Sequence, residues 1–115
     1  NSLKNFKLDK RIVLSKPMGF FDFVKLEKNC LMTITDSGTV QEESNIFKKP
    51  CLIIRNYTER PETIEAGGAR LVGNNRHKII NSIDYFSKKK LRIKKIKEYE
   101  IKNVSSKILK ILKNF

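Results

Sequence analysis

Apolar residues fall into two kinds of run along this chain, and the two alternate. Short unbroken runs at 11–15 (with Ile12, Val13 and Leu14), Cys30 to Ile34, Cys51 to Arg55 and Arg70 to Val72 predict buried strands. Between and after them apolar residues recur at helical spacing. Phe20 to Lys28 carries Phe20, Phe23, Val24 and Glu27 along one side, and His77 to Phe86 carries Ile79, Ile80, Ile83 and Phe86. Val104 to Phe115 closes the chain with Val104, Ile108, Ile111, Leu112 and Phe115 on one side, with a cap expected near Ser105. Residues 1–10 are polar and basic without a period, and Leu91 to Lys97 is a short basic amphipathic stretch. Strands alternating with helices predict a Rossmann-like, doubly wound α/β layer with a mostly parallel sheet, in which ligands lie beyond the carboxyl ends of the strands.

The stretch Thr35-Asp36-Ser37-Gly38-Thr39-Val40-Gln41-Glu42-Glu43 leaves such a strand and enters a helix. Asp36 and Ser37 suit a helix start, Gly38 permits close backbone approach, and free N–H groups there can receive a phosphate. Glu43 lies six residues beyond Ser37, roughly 9 Å along a helix axis, a span suited to a carboxylate accepting from the ribose of a nucleotide diphosphate. The plainer alternative is a capped helix with Glu43 solvated. That helix is expected to end near Ile46 and Phe47, with Lys48 and Lys49 on its carboxyl end and Pro50 beyond. A second polar loop, Asn56 to Glu62, follows the Cys51 run on the same predicted edge; Pro61 holds Arg60 extended, where its guanidinium could pair with a diphosphate or join a surface salt-bridge cluster.

At 115 residues the length suits one small domain, and a start at Asn1 rather than Met is read as a piece cut from a longer protein. The net charge of +13 would suit nucleic acid, but much of it lies among Lys88 to Lys113, interleaved with Ile and Leu, so a solvated lysine face is expected rather than a specific nucleic-acid partner. No apolar run is long enough to span a bilayer, so no membrane partner is expected and a cytoplasmic location is. Cys30 and Cys51 lack metal-ligand spacing and read as buried thiols, and the single histidine, His77, has no partner motif. No metal or cofactor is expected.

Several ordered blocks then carry a resemblance. Pro17-Met18-Gly19-Phe20-Phe21-Asp22-Phe23-Val24-Lys25-Leu26-Glu27, Thr35 to Glu43, Arg55 with Thr58-Glu59-Arg60-Pro61-Glu62, and Glu65-Ala66-Gly67 together resemble the C-terminal domain of the non-hydrolysing UDP-N-acetylglucosamine 2-epimerases, from about Arg11 to Gly73. The resemblance implies a glycosyltransferase-B-like two-domain enzyme of which residues 1–115 are most of the second, UDP-binding domain, the N-terminal domain lying elsewhere in the same chain. It implies a UDP-sugar as substrate, elimination of UDP to a glycal and its re-addition with inversion at carbon 2, a role in cell-surface polysaccharide synthesis of bacterial type, and a homodimeric parent. Ser37 and Gly38 match phosphate-binding positions, Glu43 the ribose carboxylate, Arg60 a UDP-contacting arginine and Phe23 a residue beside the uracil.

Three departures bear on that reading. The acid and base carboxylates and the important histidine of the family lie outside this stretch, His77 does not match the histidine, and the piece alone is expected to be inactive. Lys48 stands where a small residue is usual. The ending Tyr99-Glu100-Ile101-Lys102-Asn103-Val104-Ser105 lacks a glycine turn and looks more like the capsule and O-antigen branch, so a UDP-N-acetyl-6-deoxy-L-sugar is an alternative substrate, and a glycosyltransferase of the same architecture an alternative reaction.

Overall fold

Three short parallel strands organise the chain in the computed structural model, which describes residues 7–115. Helix α1 (Phe20–Asn29) leads into β1 (Thr33–Thr35), α2 (Gly38–Ile46), β2 (Cys51–Ile53), α3 (Pro61–Glu65), β3 (Ala69–Leu71) and α4 (Arg76–Lys88). A 3₁₀ turn at Lys97–Glu100 and helix α5 (Val104–Lys113) follow. The sheet order is β1-β2-β3, with Thr33 opposite Cys51 and Cys51 opposite Ala69.

Strand β2 is buried along its whole length because both of its faces are covered. Cys51 and Ile53 cluster with Ala69 and Leu71 on one face, where Thr33 and Ser44 of α2 join by a 2.8 Å hydroxyl contact. Leu52 packs with Val72 and Phe86 on the other, beneath Ile79, Ile83 and Tyr85 of α4. Helices on both faces of a parallel sheet make the layer doubly wound, as the alternation of runs predicts. The α/β assignment stands.

Several expectations need correction. Residues 11–15 form no strand: Val13 is 85 % exposed and Leu14 65 %, and Ile12 bonds back only to Asp9, so the segment has no neighbouring strand to take its backbone groups. Helix α1 buries Glu27 instead of its aromatics, leaving Phe20 and Phe21 largely in solvent. The polar loop expected over Asn56 to Glu62 gives way at Pro61 to α3, which that proline opens at a position where a missing N–H costs nothing. The Leu91 to Lys97 stretch is not helical before its last residue; it crosses the Ala66–Gly68 turn, where Lys94 N bonds to Ala66 O and Ile93 lies where a side chain on Gly68 would sit. Helix α5 starts from Asn103 in the left-handed region rather than from a cap near Ser105, and all of its residues are exposed. Of the poorly defined start at 1–10, residues 1–6 lie outside the described residues.

Lys48 is the residue that turns the chain out of α2. Its φ of 56° is left-handed, the conformation that favours glycine, and Lys49 N then bonds back to Ser44 O. Helix α2 thus ends before Pro50 is reached.

Candidate functional site

Strands β1 and β2 run parallel, so the loops that leave them open on one edge of the sheet. From β1, Thr35 accepts from Ser37 N at 3.0 Å and fixes the bend, and Ser37 Oγ caps α2 by accepting from Val40 N at 3.5 Å. Gly38 and Thr39 are the first residues of the helix, so no carbonyl within it lies four residues back for their N–H groups. These groups and the positive end of the helix dipole make the anion-receiving end of the site.

From β2, the second loop delivers Arg60 onto that end. A Cβ built on Gly38 would lie 2.8 Å from Arg60 Cζ, so the guanidinium rests directly on the glycine and any other residue would displace it. Arg60 Nε is paired with Glu42, while Nη1 makes only a 3.4 Å contact with Glu59. The inner edge of the fork is held and the outer edge is left for a bidentate acceptor.

Sequence reasoning missed the residue that sets this arrangement. Gln41 is 2 % exposed, and its amide donates to Arg60 O at 3.1 Å and to Thr63 Oγ1, while its carbonyl accepts from Thr58 Oγ1 at 2.9 Å. Thr58 Oγ1 also receives Arg60 N at 3.1 Å. Gln41 therefore ties the backbone on both sides of Arg60 to the first turn of α2. The signal was the spacing of Gln41, Ser44 and Asn45, a buried helical stripe made of polar residues. A further contact was not foreseen: Tyr99 OH donates to Glu62, which brings the 3₁₀ turn beside Arg60, and its burial there raises the phenol above its usual range.

The adjacent glutamates of α2 diverge. Glu42 turns to Arg60, and Glu43 turns to α1, where it meets Glu27. Between α1, β1 and α2 lies a cavity of about 320 Å³ lined mainly by apolar side chains, with Phe23, Leu26, Val40, Thr35 and Glu27 in its lining. Phe23 is 41 % exposed there, available to a flat ligand. Ser37, Gly38 and Arg60 thus form one cluster at the helix start, and Phe23 lines a cavity on the flank of α2 whose lining includes Glu27 and not Glu43. Both cysteines are free thiols, Cys51 buried and Cys30 half-buried, and burial raises both. His77 is exposed on α4. Among the described residues no cluster of three potential metal ligands occurs, and no helix is long and apolar enough to cross a membrane.

The model of the UDP-N-acetylglucosamine 2-epimerase family matches residues 1–113. The chain belongs to the UDP-N-acetylglucosamine 2-epimerase family. Within it, the chain is 44 % identical over 90 residues to the UDP-N-acetylglucosamine 2-epimerase of Methanocaldococcus jannaschii, covering 78 % of this chain and 25 % of that one. It is 39 % identical over 74 residues to the Escherichia coli K12 enzyme of the same name, covering 64 % of this chain and 20 % of that one. Among solved structures it is similar to the M. jannaschii UDP-GlcNAc 2-epimerase in complex with UDP-GlcNAc and UDP, at a TM-score of 0.79 and 38 % identity over 95 % of this chain and 30 % of that one. The Neisseria meningitidis epimerase bound to UDP-GlcNAc gives a TM-score of 0.64 and 32 % identity over 88 % and 29 %. The chain spans about a fifth to a quarter of the length of the curated epimerases it matches. The family resemblance carried by Pro17 to Gly67 is therefore correct, and the epimerase fold accounts for the parallel sheet.

Proposed function

We propose that this chain is the UDP-binding part of a sugar-nucleotide 2-epimerase that interconverts UDP-N-acetylglucosamine and UDP-N-acetylmannosamine by eliminating and re-adding UDP. The observation that carries this reading is the seating of Arg60 on Gly38 at the uncapped N–H groups of α2, a cluster that offers backbone donors and a forked guanidinium to one diphosphate. Membership of the epimerase family and the UDP-bound structures of its relatives support the choice of nucleotide.

In this reading Ser37, Gly38 and Arg60 bind the diphosphate, Glu43 accepts from the ribose hydroxyls, and Phe23 lies beside the uracil. Negative charge grows on the departing diphosphate as its bond to the sugar breaks, and donors already aimed at it lower the barrier without reorganising. Gln41 serves as the positioning residue, since Arg60 can act only where its loop is tied. The remaining chemistry is assigned to an N-terminal domain of the same chain, with a homodimeric parent working in the cytoplasm in cell-surface polysaccharide synthesis of bacterial type.

The test uses the full-length protein with UDP-N-acetylglucosamine and no acceptor, scoring UDP-N-acetylmannosamine by proton NMR. Epimerised product is expected, and product seen only when an acceptor sugar is added would replace this reading with transfer. Arg60→Ala is expected to weaken UDP binding by about 2 kcal/mol, the value of a hydrogen bond to a charged group, and an unchanged affinity would remove Arg60 from the site.

A further inference from the structure

The Glu27 carboxyl is 4 % exposed, and neither of its oxygens meets a hydrogen-bond donor. The charged group that acts on it is the Glu43 carboxylate of α2, a like charge. Two carboxylates cannot hydrogen-bond without a proton between them, and a buried charge with no counter-ion is among the most costly arrangements in a protein. The surrounding titratable and charged groups give no relief. They are Glu43 from α2, Cys51 from β2 and Cys30 at the end of α1, while Lys49, from the loop after α2, acts on Cys30. Lys28, the basic residue next to Glu27, lies over the Phe47 ring at 5.2 Å. Burial and the neighbouring Glu43 push the Glu27 carboxyl up to about 7.

We infer that Glu27 is a positioning residue for nucleotide binding: in its protonated form it donates to Glu43, holding that carboxylate where it accepts the ribose, and its ionisation releases Glu43. This rests on the reading of Glu43 as the ribose ligand. Loss of the proton removes the only donor Glu27 can offer and places a like charge beside Glu43, so both effects move the carboxylate the same way. Nucleotide affinity at this site then falls as pH rises through the neutral range, in an enzyme whose substrate keeps the same charge throughout it.

The experiment is calorimetric titration of UDP-N-acetylglucosamine, a diphosphate diester, onto the full-length protein at about pH 6 and about pH 8.5. Wild-type affinity is expected to fall about fivefold to tenfold between them, the worth of one hydrogen bond. Glu27→Gln keeps a donor that does not titrate, so its affinity should be the same at both values and match the wild type at the lower one. Glu27→Leu, with no donor, should be weak at both, and if it does not fold the near-isosteric glutamine variant carries the test alone. A wild type with no pH dependence, or a glutamine variant that keeps the wild-type slope, overturns the inference. Glu43→Ala separates it from the reading beneath: unchanged affinity in that variant overturns the ribose assignment itself, whereas weakened binding there with the slope retained in Glu27→Gln overturns only the role of Glu27. Carbon-13 NMR of the glutamate carboxyls gives a readout that needs no nucleotide. Titration of Glu27 near 7 is expected, and titration at the ordinary value of 4.5 contradicts the inference.

Discussion

The two flanks of α2 are built from similar side chains and behave in opposite ways. On the flank toward α3, Gln41 uses both ends of its amide, Thr58 and Thr63 are paired, and Arg60 has Glu42. On the flank toward α1, Glu27 is equally buried and meets only another carboxylate. A buried polar group that is fully paired fixes a shape, while one left with a like partner becomes sensitive to protons. One helix thus presents a rigid side toward Arg60 and a titratable side toward Glu27, separated by the one-residue step between Glu42 and Glu43.

The largest expected effect comes from breaking the rigid flank. Gln41→Leu removes the three hydrogen bonds that Gln41 makes to Thr58, Thr63 and the Arg60 carbonyl and should lower stability by about 3 kcal/mol, read by urea denaturation of the full-length protein. It should also weaken UDP binding although it touches no ligand. Stability loss with unchanged UDP affinity would reduce Gln41 to a purely structural role.

The titratable flank gives the next effect, and its sign follows from the raised carboxyl. Folded Glu27 holds its proton up to about 7 while the unfolded chain releases it from 4.5, so its stability contribution is intact below about 4.5 and falls as pH rises toward 7. Glu27→Gln should abolish this slope and be the more stable form at about pH 8 by roughly 2 to 3 kcal/mol. Parallel stability profiles for wild type and variant between those limits would contradict the account of this flank. The smallest change lies where α2 ends, on neither flank. Lys48→Gly relieves a left-handed lysine, and thermal unfolding should show a gain of roughly 1 kcal/mol with UDP affinity untouched.

The same contrast explains what could be read in the residues beforehand. Ser37 as the cap, Gly38 as the point of close approach and the shared edge of the two loops all follow from local rules, and the structure shows each of them. Gln41 was hidden because a two-letter pattern of apolar and polar positions sends glutamine outward, whereas Glu27 falls on the apolar side of its helix by spacing and is buried there. Only three-dimensional packing makes Gln41, Ser44 and Asn45 an inward stripe and leaves Phe20 and Phe21 in solvent. The run around Val13 failed for a related reason, since an apolar triplet is a strand only where a neighbouring strand accepts its backbone. Likewise, the path of Ile93 over Gly68 is set by a contact between residues distant in sequence, which periodicity cannot register.

A crystal structure of the full-length protein with UDP tests the central claim most directly. The diphosphate should lie against the N–H groups of Gly38 and Thr39 with the outer edge of Arg60 upon it, and Glu43 should accept from the ribose. A nucleotide bound elsewhere, with Arg60 still resting on Gly38 and no ligand at the start of α2, would contradict the account.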